Sequence, residues 1–380
     1  MASLYHLVTK ILKKPSVTWL LLIFLLLSQL FIFKKIKVLD LLSGQNPMLD
    51  FDSYYYIVQA VFKGQHPYQV STMQTMGPPT VIIPFLPFGL FSLEWGRIIM
   101  TILNLVSSFI ACFLLAKQIT KKPLLLTTLV FSNLLWFSFP ARFSLALGQP
   151  NLVMMLLITL LITNTNEKIK SLSFGLLILF KTFFVFPLLT LIPKQNRLLF
   201  LTLAVIGGLM LLSLQLIKPQ YYYDFMTQRL IPTTISTQQI KDVDYYNQSL
   251  KTTFARFNLS NYYSVSYILL VLISLGYLLL SKNFYAGIVI SVILSPVIWQ
   301  HYFVYLFPIF IFMAGKLFKT KRYLELLVVL IGLSLMLPEF SWLQRQPATL
   351  FNSLVASHYL ASALLLLFIC ISQKTQTEKN

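Results

Sequence analysis

Apolar segments recur along almost the whole chain, and they constrain its fold more than any other sequence feature. Residues 17–33 form the first segment, and the others follow at short intervals. Hydrophobic residues make up 57% of the 380 residues and charged residues only 11%, whereas a soluble domain has about 25% charged residues. This composition excludes a soluble globular protein, a disordered chain and a small disulfide-bonded secreted domain. It predicts a polytopic membrane protein.

The chain is strongly basic, with 30 Lys and Arg against 11 Asp and Glu and a formal charge of +19. Most of the basic residues lie between apolar segments, where they set the topology and contact anionic lipid headgroups. The charge therefore indicates membrane lipids as partners, and we expect no nucleic acid.

Neither a metal site nor a redox centre is indicated. Cys112 and Cys370 both lie inside apolar segments, where a buried free thiol is the expected state. The four histidines are scattered and form no helical metal-binding motif. We therefore expect no metal and no cofactor.

Twelve apolar segments are candidate membrane spans, and we predict an all-α bundle that forms one integral membrane domain over residues 1–380. Several are shorter than a full span of about 20 residues, and prolines interrupt five of them. Such prolines are tolerated where neighbours or water satisfy the freed backbone groups, so we expect a bundle around a polar cavity. The segments are 17–33, 80–93, 98–116, 123–139, 150–163, 171–193, 198–217, 263–280, 285–299, 302–316, 323–337 and 356–372.

An even number of spans places both chain ends in the cytoplasm. The lysines before the first segment and the basic cluster after the tenth agree with this orientation, and we expect the first segment to remain as an uncleaved span. Residues 34–79 and 218–262 are then extracytoplasmic loops, and residues 373–380 are a cytoplasmic tail. The basic loops 117–122 and 167–170 would also face outward, against the positive-inside rule, so the parity of spans two to six stays open.

The first outer loop contains a second kind of apolar pattern. Residues 53–63 place Tyr54, Ile57, Val58 and Val61 at helical spacing. This pattern predicts an amphipathic helix in the membrane interface, with its tyrosines at headgroup level. A Gly–Gln–His–Pro sequence then ends the helix.

Acidic residues are scarce, and two of them precede this helix. Asp52 is placed to cap a helix that begins near Ser53, so we expect a structural role for it. Asp50 lies two residues earlier, where it would be partly desolvated at the mouth of the bundle. A carboxylate in such a place is a candidate general base, because its pKa can be tuned.

Two further polar clusters lie in outer segments. Asn247, Gln248 and Arg256 carry donors for sugar hydroxyls and a phosphate, although a glycosylation sequon or a solvated loop would also explain the two amides. Trp299 and His301 follow a proline-broken helix. Anchoring in the membrane interface explains the tryptophan, whereas a polar ring at a span end usually faces a cavity.

Three polar residues lie at or within apolar segments. Gln149 and Asn151 lie between two of them, and Lys181 lies in the middle of another. A charged side chain at such a position indicates a functional site by default. Snorkelling of the lysine to the membrane surface is the alternative explanation.

Taken in order, these elements resemble glycosyltransferase family 87, the polyprenyl-phosphate-mannose-dependent transferases of the GT-C superfamily. The resemblance extends from about Asp50 to Tyr302. This chain departs from the family pattern before Pro78, at Tyr302, and in the late position of Pro187. The resemblance rests on Asp50, Phe51, Tyr54, Tyr55, Gly64, Pro67, Tyr68, Pro78, Pro79, Gly148, Gln149, Asn151, Lys181, Asn247, Gln248, Ser249, Arg256, Ser295, Pro296, Trp299 and His301.

The resemblance implies an inverting membrane hexosyltransferase with a GT-C-type bundle. Its donor would be a hexose, with mannose expected, on a polyprenyl phosphate, and its acceptor a glycolipid or glycan at the extracytoplasmic face of a bacterial plasma membrane. Asp50 would be the general base. The donor phosphate would contact Arg256, His301 and Lys181. Sugar or acceptor contacts are expected from Tyr54, Tyr55, Gln149, Asn151, Asn247, Gln248 and Trp299.

Two other classes of protein compete with an enzyme. A transporter or flippase of lipid-linked sugars would combine broken helices with repeated halves around a midplane site. The sequence has no evident internal repeat, and its polar residues gather in outer loops, which favours the enzyme. In a non-catalytic membrane scaffold, the placement of Asp50, Arg256 and His301 would be accidental.

Overall fold

The computed structural model of the chain describes residues 15–67, 77–120, 124–192 and 196–377. Tyr68, the N-terminal lysines, and parts of the predicted outer loop 34–79 and of the tail lie outside these residues. The described chain is all-helical, with two isolated β-bridges and no strand.

The α-helices are α1 (Pro15–Lys35), α2 (Val38–Leu42), α3 (Leu49–Phe62), α4 (Leu93–Ile119), α5 (Leu124–Phe137), α6 (Phe139–Leu147), α7 (Asn151–Thr163), α8 (Glu167–Phe180), α9 (Asn196–Leu216), α10 (Pro219–Phe225), α11 (Ile231–Ile235), α12 (Leu250–Arg256), α13 (Tyr263–Ser281), α14 (Phe284–Ile293), α15 (Phe307–Lys319), α16 (Tyr323–Leu335), α17 (Leu350–Ala356) and α18 (His358–Thr377). Tighter 3₁₀ segments are Pro79–Leu90, Thr182–Thr190, Ser260–Tyr262, Gln300–Leu306 and Ser341–Leu343, and Met226–Leu230 is a π-helical turn.

Several helices of the described chain are suited to a membrane, which confirms the prediction of an all-α membrane protein. Two bent pairs, α5 with α6 and α17 with α18, bend by 72° and 58° at their breaks. The number of candidate spans is five, or seven if each bent pair is one span. The five are Pro15–Lys35, Leu93–Ile119, Arg197–Leu216, Ser260–Ser281 and Gln300–Lys319.

The prediction of twelve spans is not confirmed, because several predicted spans form short helices. Helix α7 has 13 residues and α14 has 10. At 1.5 Å per residue these helices are about 20 and 15 Å long, against a hydrocarbon core of about 30 Å. Proline is one cause of shortening: Pro84 and Pro87 lie inside the segment Pro79–Leu90, and each lacks an N–H donor.

The predicted amphipathic helix is present as α3. It begins four residues before the predicted start, at Leu49, and ends at Phe62. Tyr54, Ile57 and Val58 are buried, as their spacing predicts. The location of this helix in a membrane interface stays a prediction.

The prediction that Asp52 caps this helix is wrong, because α3 begins before it, with Met48 at the N-cap. The carboxylate of Asp52 instead accepts hydrogen bonds from Arg97 of α4, at 2.8 Å from Nε and 2.7 Å from Nη2. Nη1 of the same guanidinium donates to the carbonyl of Gly44 at 3.0 Å. A two-point contact of this kind fixes both distance and orientation, so the pair joins α3 to α4.

The turn between α6 and α7 lies directly against the start of α3. Gly148 ends α6 with φ +69°, a left-handed conformation. A Cβ at this position would lie 2.6 Å from Cβ of Phe51 and 2.9 Å from Sδ of Met48. Glycine is therefore required both for the backbone conformation and for the close approach of α3.

The segment Gln300–Leu306 completes this region from the other side. All seven of its residues are buried, and it packs against α6 and α7. Three parts of the chain that are distant in sequence thus meet at one place: the start of α3, the α6–α7 turn and residues 300–306.

The role of the Gly148 contact can be tested with a matched pair of alanine variants. Gly64 also has a positive φ, +68°, but an added Cβ there meets nothing within 4 Å. We expect Gly64→Ala to cost only the backbone strain, roughly 1–2 kcal/mol. Gly148→Ala adds a collision with α3 and should lower the apparent melting temperature clearly further. Equal losses in the two purified variants would contradict the close-approach argument.

Candidate active site

A cavity of about 620 Å³ lies where α3, the α6–α7 turn and residues 294–302 meet. Segments after α8 and around α10 and α11 complete its wall. It brings together residues from eight separate parts of the sequence. Six of the residues predicted from the sequence line it, namely Asp50, Tyr54, Gln149, Lys181, Trp299 and His301.

Asp50 lies in the first turn of α3 and accepts a hydrogen bond from another wall residue. Nε2 of Gln149 donates to Oδ2 of Asp50 at 2.7 Å. The backbone carbonyl of Gln149 in turn accepts from Nδ2 of Asn104 at 2.9 Å, and Asn104 is fully buried on α4. Gln149 is thereby held in place, and it orients the carboxylate of Asp50.

The electrostatics of the cavity act on Asp50 in opposite directions. Burial raises the pKa of its carboxyl group, while the hydrogen bond from Gln149 and the positive charge of Lys181 lower it. Burial dominates, so the pKa of Asp50 lies above the ordinary aspartate value. A carboxylate with a raised pKa accepts a proton more readily, which suits a general base.

Tyr54 lies one turn after Asp50 on the same face of α3. It is buried, and its ring stacks on Phe85 with the centroids 4.3 Å apart. The stacking holds the tyrosine in the cavity wall and ties α3 to the segment Pro79–Leu90.

Lys181 reaches the cavity because α8 stops at the preceding residue. The backbone of Lys181 is extended, between α8 and the segment Thr182–Thr190. Its Nζ donates to the hydroxyl of Tyr302 at 2.6 Å and lies 4.2 Å from the centroid of that ring. Contact with an aromatic face stabilises a cation in a site with little water.

His301 is buried in the cavity wall, and neither of its ring nitrogens has a hydrogen-bond partner among the described residues. Its ring packs edge-on against Phe143 and Tyr302, with centroid distances of 5.5 and 4.5 Å. An imidazole always carries at least one N–H group, and a buried unpaired donor costs about 1–3 kcal/mol. In the wall of a cavity, such a group is a candidate contact for a ligand.

Two residues predicted to contact the sugar or acceptor, Tyr55 and Asn151, form hydrogen bonds outside the cavity. The hydroxyl of Tyr55 donates to the carbonyl of Phe91 at 2.9 Å, outside the cavity wall. Asn151 donates to Oγ of Ser144 at 3.1 Å and accepts from the hydroxyl of Tyr305. Asn151 thus supports the α6–α7 turn and does not line the cavity.

The predicted amides of the second outer segment also lie outside this cavity. Gln248 is fully buried and donates to the carbonyls of Tyr245, at 2.6 Å, and Ala356, at 2.9 Å. Asn247 lines a separate, smaller cavity next to the first.

The structure does not bring Arg256 to the cavity. Arg256 is 1% exposed, and its guanidinium donates to the carbonyls of Val243, at 2.6 Å, Asp244, at 2.7 Å, and Asn247. Because these carbonyls take up its donors, Arg256 organises the loop 243–247. That loop carries Tyr246, which does line the cavity.

Sequence reasoning missed several wall residues. Tyr246 directly precedes Asn247, which the sequence predicts as a contact residue, so its position next to that cluster could have indicated a place in the cavity wall. Phe143 and Tyr267 lie within apolar helices, where nothing in the sequence distinguishes a wall residue from a packed one. The hydroxyl of Tyr267 donates to the carbonyl of Leu294 at 2.8 Å, next to the predicted cluster that ends at His301.

The role of Arg256 can be tested by Arg256→Lys. A lysine has no planar fork and cannot serve three carbonyls at once, so we expect a lower apparent melting temperature in the absence of any substrate. A residue that only binds phosphate would leave that temperature unchanged and weaken donor binding instead. Lys241→Arg, at an exposed position of the same outer segment, is the matched control and should melt like the parent protein.

Comparison with known proteins identifies the family of the chain. The family model of glycosyltransferase family 87 matches residues 76–286, which is more than half of the chain. The matched range includes Gln149 and Lys181, begins after Asp50 and ends before His301. No curated protein matches the chain. The chain belongs to glycosyltransferase family 87 and is a membrane glycosyltransferase.

Proposed function

We propose that the protein transfers a hexose, with mannose as the expected sugar, from a polyprenyl-phosphate donor to a lipid or glycan acceptor. The observation that carries this proposal is the cavity in which Asp50, oriented by Gln149 at 2.7 Å, lies together with Lys181 and His301. A base can activate the acceptor hydroxyl, and two nitrogen groups that bind an anion can stabilise the leaving phosphate of a sugar phosphate.

Asp50 acts as the general base in this mechanism. It takes the proton from an acceptor hydroxyl, whose oxygen forms a bond to the anomeric carbon of the sugar. The bond from that carbon to the phosphate oxygen breaks, and its electron pair leaves with the polyprenyl phosphate. Attack from the face opposite the phosphate inverts the configuration. One carboxylate is enough because a phosphate leaving group needs no obligatory protonation, whereas a glycosidase uses two carboxylates.

His301 and Lys181 stabilise the charge that develops on the leaving phosphate. The unpaired ring of His301 can donate one hydrogen bond. The ammonium of Lys181 has three donors and gives one to Tyr302, so it retains capacity for phosphate oxygens. Lys181 supplies the positive charge, and we expect no metal ion or cofactor. Arg256 acts indirectly, by holding the loop that carries Tyr246.

The apolar part of the cavity wall suits the lipid half of the donor. Phe183, Phe186, Phe225, Leu230 and Leu294 line it together with the polar residues. A polyprenyl chain gains free energy when such side chains remove it from water, at about 25 cal/mol per Å². The sugar phosphate would then lie at the polar end, next to Asp50.

The proposed topology follows the sequence prediction. The twelve spans predicted from the sequence would place residues 34–79 and 218–262 on the extracytoplasmic side of a bacterial plasma membrane. The α6–α7 turn would lie on that side as well, because Gln149 contacts Asp50, so segments 80–93, 98–116 and 123–139 would not all cross the membrane. Helix α3 would lie in the interface there, so lipid-linked donor and acceptor both reach Asp50 from the outer leaflet. Both chain ends would be cytoplasmic.

The proposal is tested by Asp50→Asn and Asp52→Asn, assayed with a polyprenyl-phosphate hexose and a lipid extract, with hexose gain read by mass spectrometry. Asparagine at position 50 cannot accept the proton, so we expect a loss of roughly 100- to 10,000-fold in rate with donor binding retained. Asp52→Asn weakens the pair with Arg97, so it should lower the melting temperature while the rate per folded molecule changes little. Full activity of Asp50→Asn would refute the assignment of Asp50 as the base, whereas no hexose gain with the parent protein would favour a lipid-linked-sugar transporter.

The pH dependence gives an independent test. Asp50 must be ionised to act as a base, so the rate should fall as the pH drops through its pKa, which burial holds above 3.8. Gln149→Leu removes the hydrogen bond that lowers this pKa. The pH at which the rate falls to half of its maximum should therefore be higher in Gln149→Leu than in the parent protein. An unchanged acid limb in Gln149→Leu would contradict the role of Asp50 as the titrating group.

A further inference from the structure

The candidate active site contains two opposite charges that do not pair with each other. Asp50 and Lys181 both line the cavity, and the positive charge of Lys181 lowers the pKa of Asp50. The two side chains nevertheless form no ion pair in the described structure. An ammonium and a carboxylate that share a cavity with little water attract each other strongly. Other contacts must therefore hold them apart.

The partners of both groups are neutral. Asp50 accepts a hydrogen bond from Gln149 at 2.7 Å. Lys181 donates to the hydroxyl of Tyr302 at 2.6 Å, and its Nζ lies 4.2 Å from the centroid of the same ring. One phenol thus gives the ammonium two contacts, through its oxygen and through its aromatic face. These contacts fix the place of the positive charge in the cavity.

Gln149 does not explain the separation of the charges. It donates to Oδ2 of Asp50, and a carboxylate has about four lone-pair sites. The other oxygen, Oδ1, can therefore still accept a hydrogen bond from an ammonium. The separation is set on the side of the lysine, by its contacts with Tyr302.

Tyr302 can hold the ammonium because its own position is fixed. It lies in the segment Gln300–Leu306, in which every residue is buried. Its ring stacks on that of Tyr305 at 5.8 Å and packs edge-on against His301 at 4.5 Å. The hydroxyl of Tyr305 in turn donates to Asn151, which is fully buried on α7. The phenol is thus a rigid support, whereas a lysine side chain by itself is long and flexible.

We propose that Tyr302 is a positioning residue that keeps the ammonium of Lys181 away from the carboxylate of Asp50. Asp50 is then free to take the proton of the acceptor hydroxyl, and Lys181 is free to contact the leaving phosphate. A direct ion pair would weaken the base and occupy the cation at the same time. This inference rests on the proposed function and adds a residue that acts through Lys181.

The other titratable groups around Asp50 are the same in the variants that test this role, apart from the residue that each variant replaces. The segment Pro79–Leu90, which packs against α3, has no titratable residue. Asp52 is paired with Arg97. The remaining groups are Tyr54, Tyr246, Tyr267 and His301 in the cavity wall, Glu94 and Lys117 on α4, and Arg142 on α6.

The test measures the pH dependence of hexose transfer by purified full-length protein, with a polyprenyl-phosphate hexose and a lipid extract. A second measurement needs no turnover: the infrared carboxyl band that Asp50→Asn removes is titrated in each variant, so titration of other groups does not obscure it. Tyr302→Phe removes only the hydroxyl, and Tyr302→Leu removes the aromatic face as well. Tyr267→Phe is the matched control, because it removes from the same wall a hydroxyl that donates to the carbonyl of Leu294.

We expect the ammonium to turn to Asp50 in Tyr302→Leu. A cation within about 4–6 Å favours the ionised carboxylate, so the acid limb of the rate should move to lower pH by about one unit. Tyr302→Phe should shift it in the same direction by less, and Tyr267→Phe should leave it at the pH of the parent protein. The infrared titration should show the same shifts.

The part played by the lysine is tested with Lys181→Met. Loss of the positive charge disfavours the ionised carboxylate, so the acid limb should move to higher pH, opposite to the shift in Tyr302→Leu. Adding Tyr302→Leu to Lys181→Met should then cause no further shift, because no ammonium is left to hold.

An acid limb that stays in place or moves to higher pH in Tyr302→Leu would overturn the inference, as would an equal shift in Tyr267→Phe. A further shift when Tyr302→Leu is added to Lys181→Met would also overturn it, since that shift would not pass through the lysine. Melting temperatures check folding, and Tyr302→Phe decides if Tyr302→Leu is unfolded. If the parent protein transfers no hexose, the proposed function fails, and the infrared titration still decides whether Tyr302 separates the two charges.

Discussion

The contact between Gly148 and Phe51 is the constraint on which the candidate site depends. Because glycine has no side chain and adopts a positive φ, the α6–α7 turn can approach the first turn of α3 to within van der Waals distance. That approach places Gln149 at 2.7 Å from Asp50. The buried segment Gln300–Leu306 packs against α6 and α7 and adds His301 to the cavity wall. Without this contact, the residues of the cavity would still be present but would not converge.

The two neighbouring carboxylates show how the fold separates structural from functional charge. Asp52 is satisfied by a two-point contact with Arg97, and this pair joins α3 to α4. Asp50, on the same helical turn, has an amide as its partner and a cavity beside it. A carboxylate without a directly paired cation keeps the capacity to accept a proton, whereas a fully paired one stabilises the structure.

The basic groups divide in the same way. Arg256 donates hydrogen bonds to the carbonyls of one loop and is almost completely buried. Lys181 and His301 keep donors that no described residue uses fully. Buried polar groups are normally satisfied, so an unpaired group in a cavity wall, such as the ring of His301, is a candidate ligand contact.

The sequence by itself determined the membrane class, the helical architecture, the amphipathic pattern of α3 and the family, because hydrophobicity and periodicity are local properties of the chain. It also singled out Asp50, Gln149, Lys181 and His301, since polar residues are conspicuous among apolar ones. Only the tertiary structure decided that Arg256 organises a loop, that Asp52 pairs with Arg97 and that α7 and α14 are too short to cross a bilayer alone. Those outcomes depend on which carbonyls and side chains meet across long sequence separations, and no local pattern encodes such contacts.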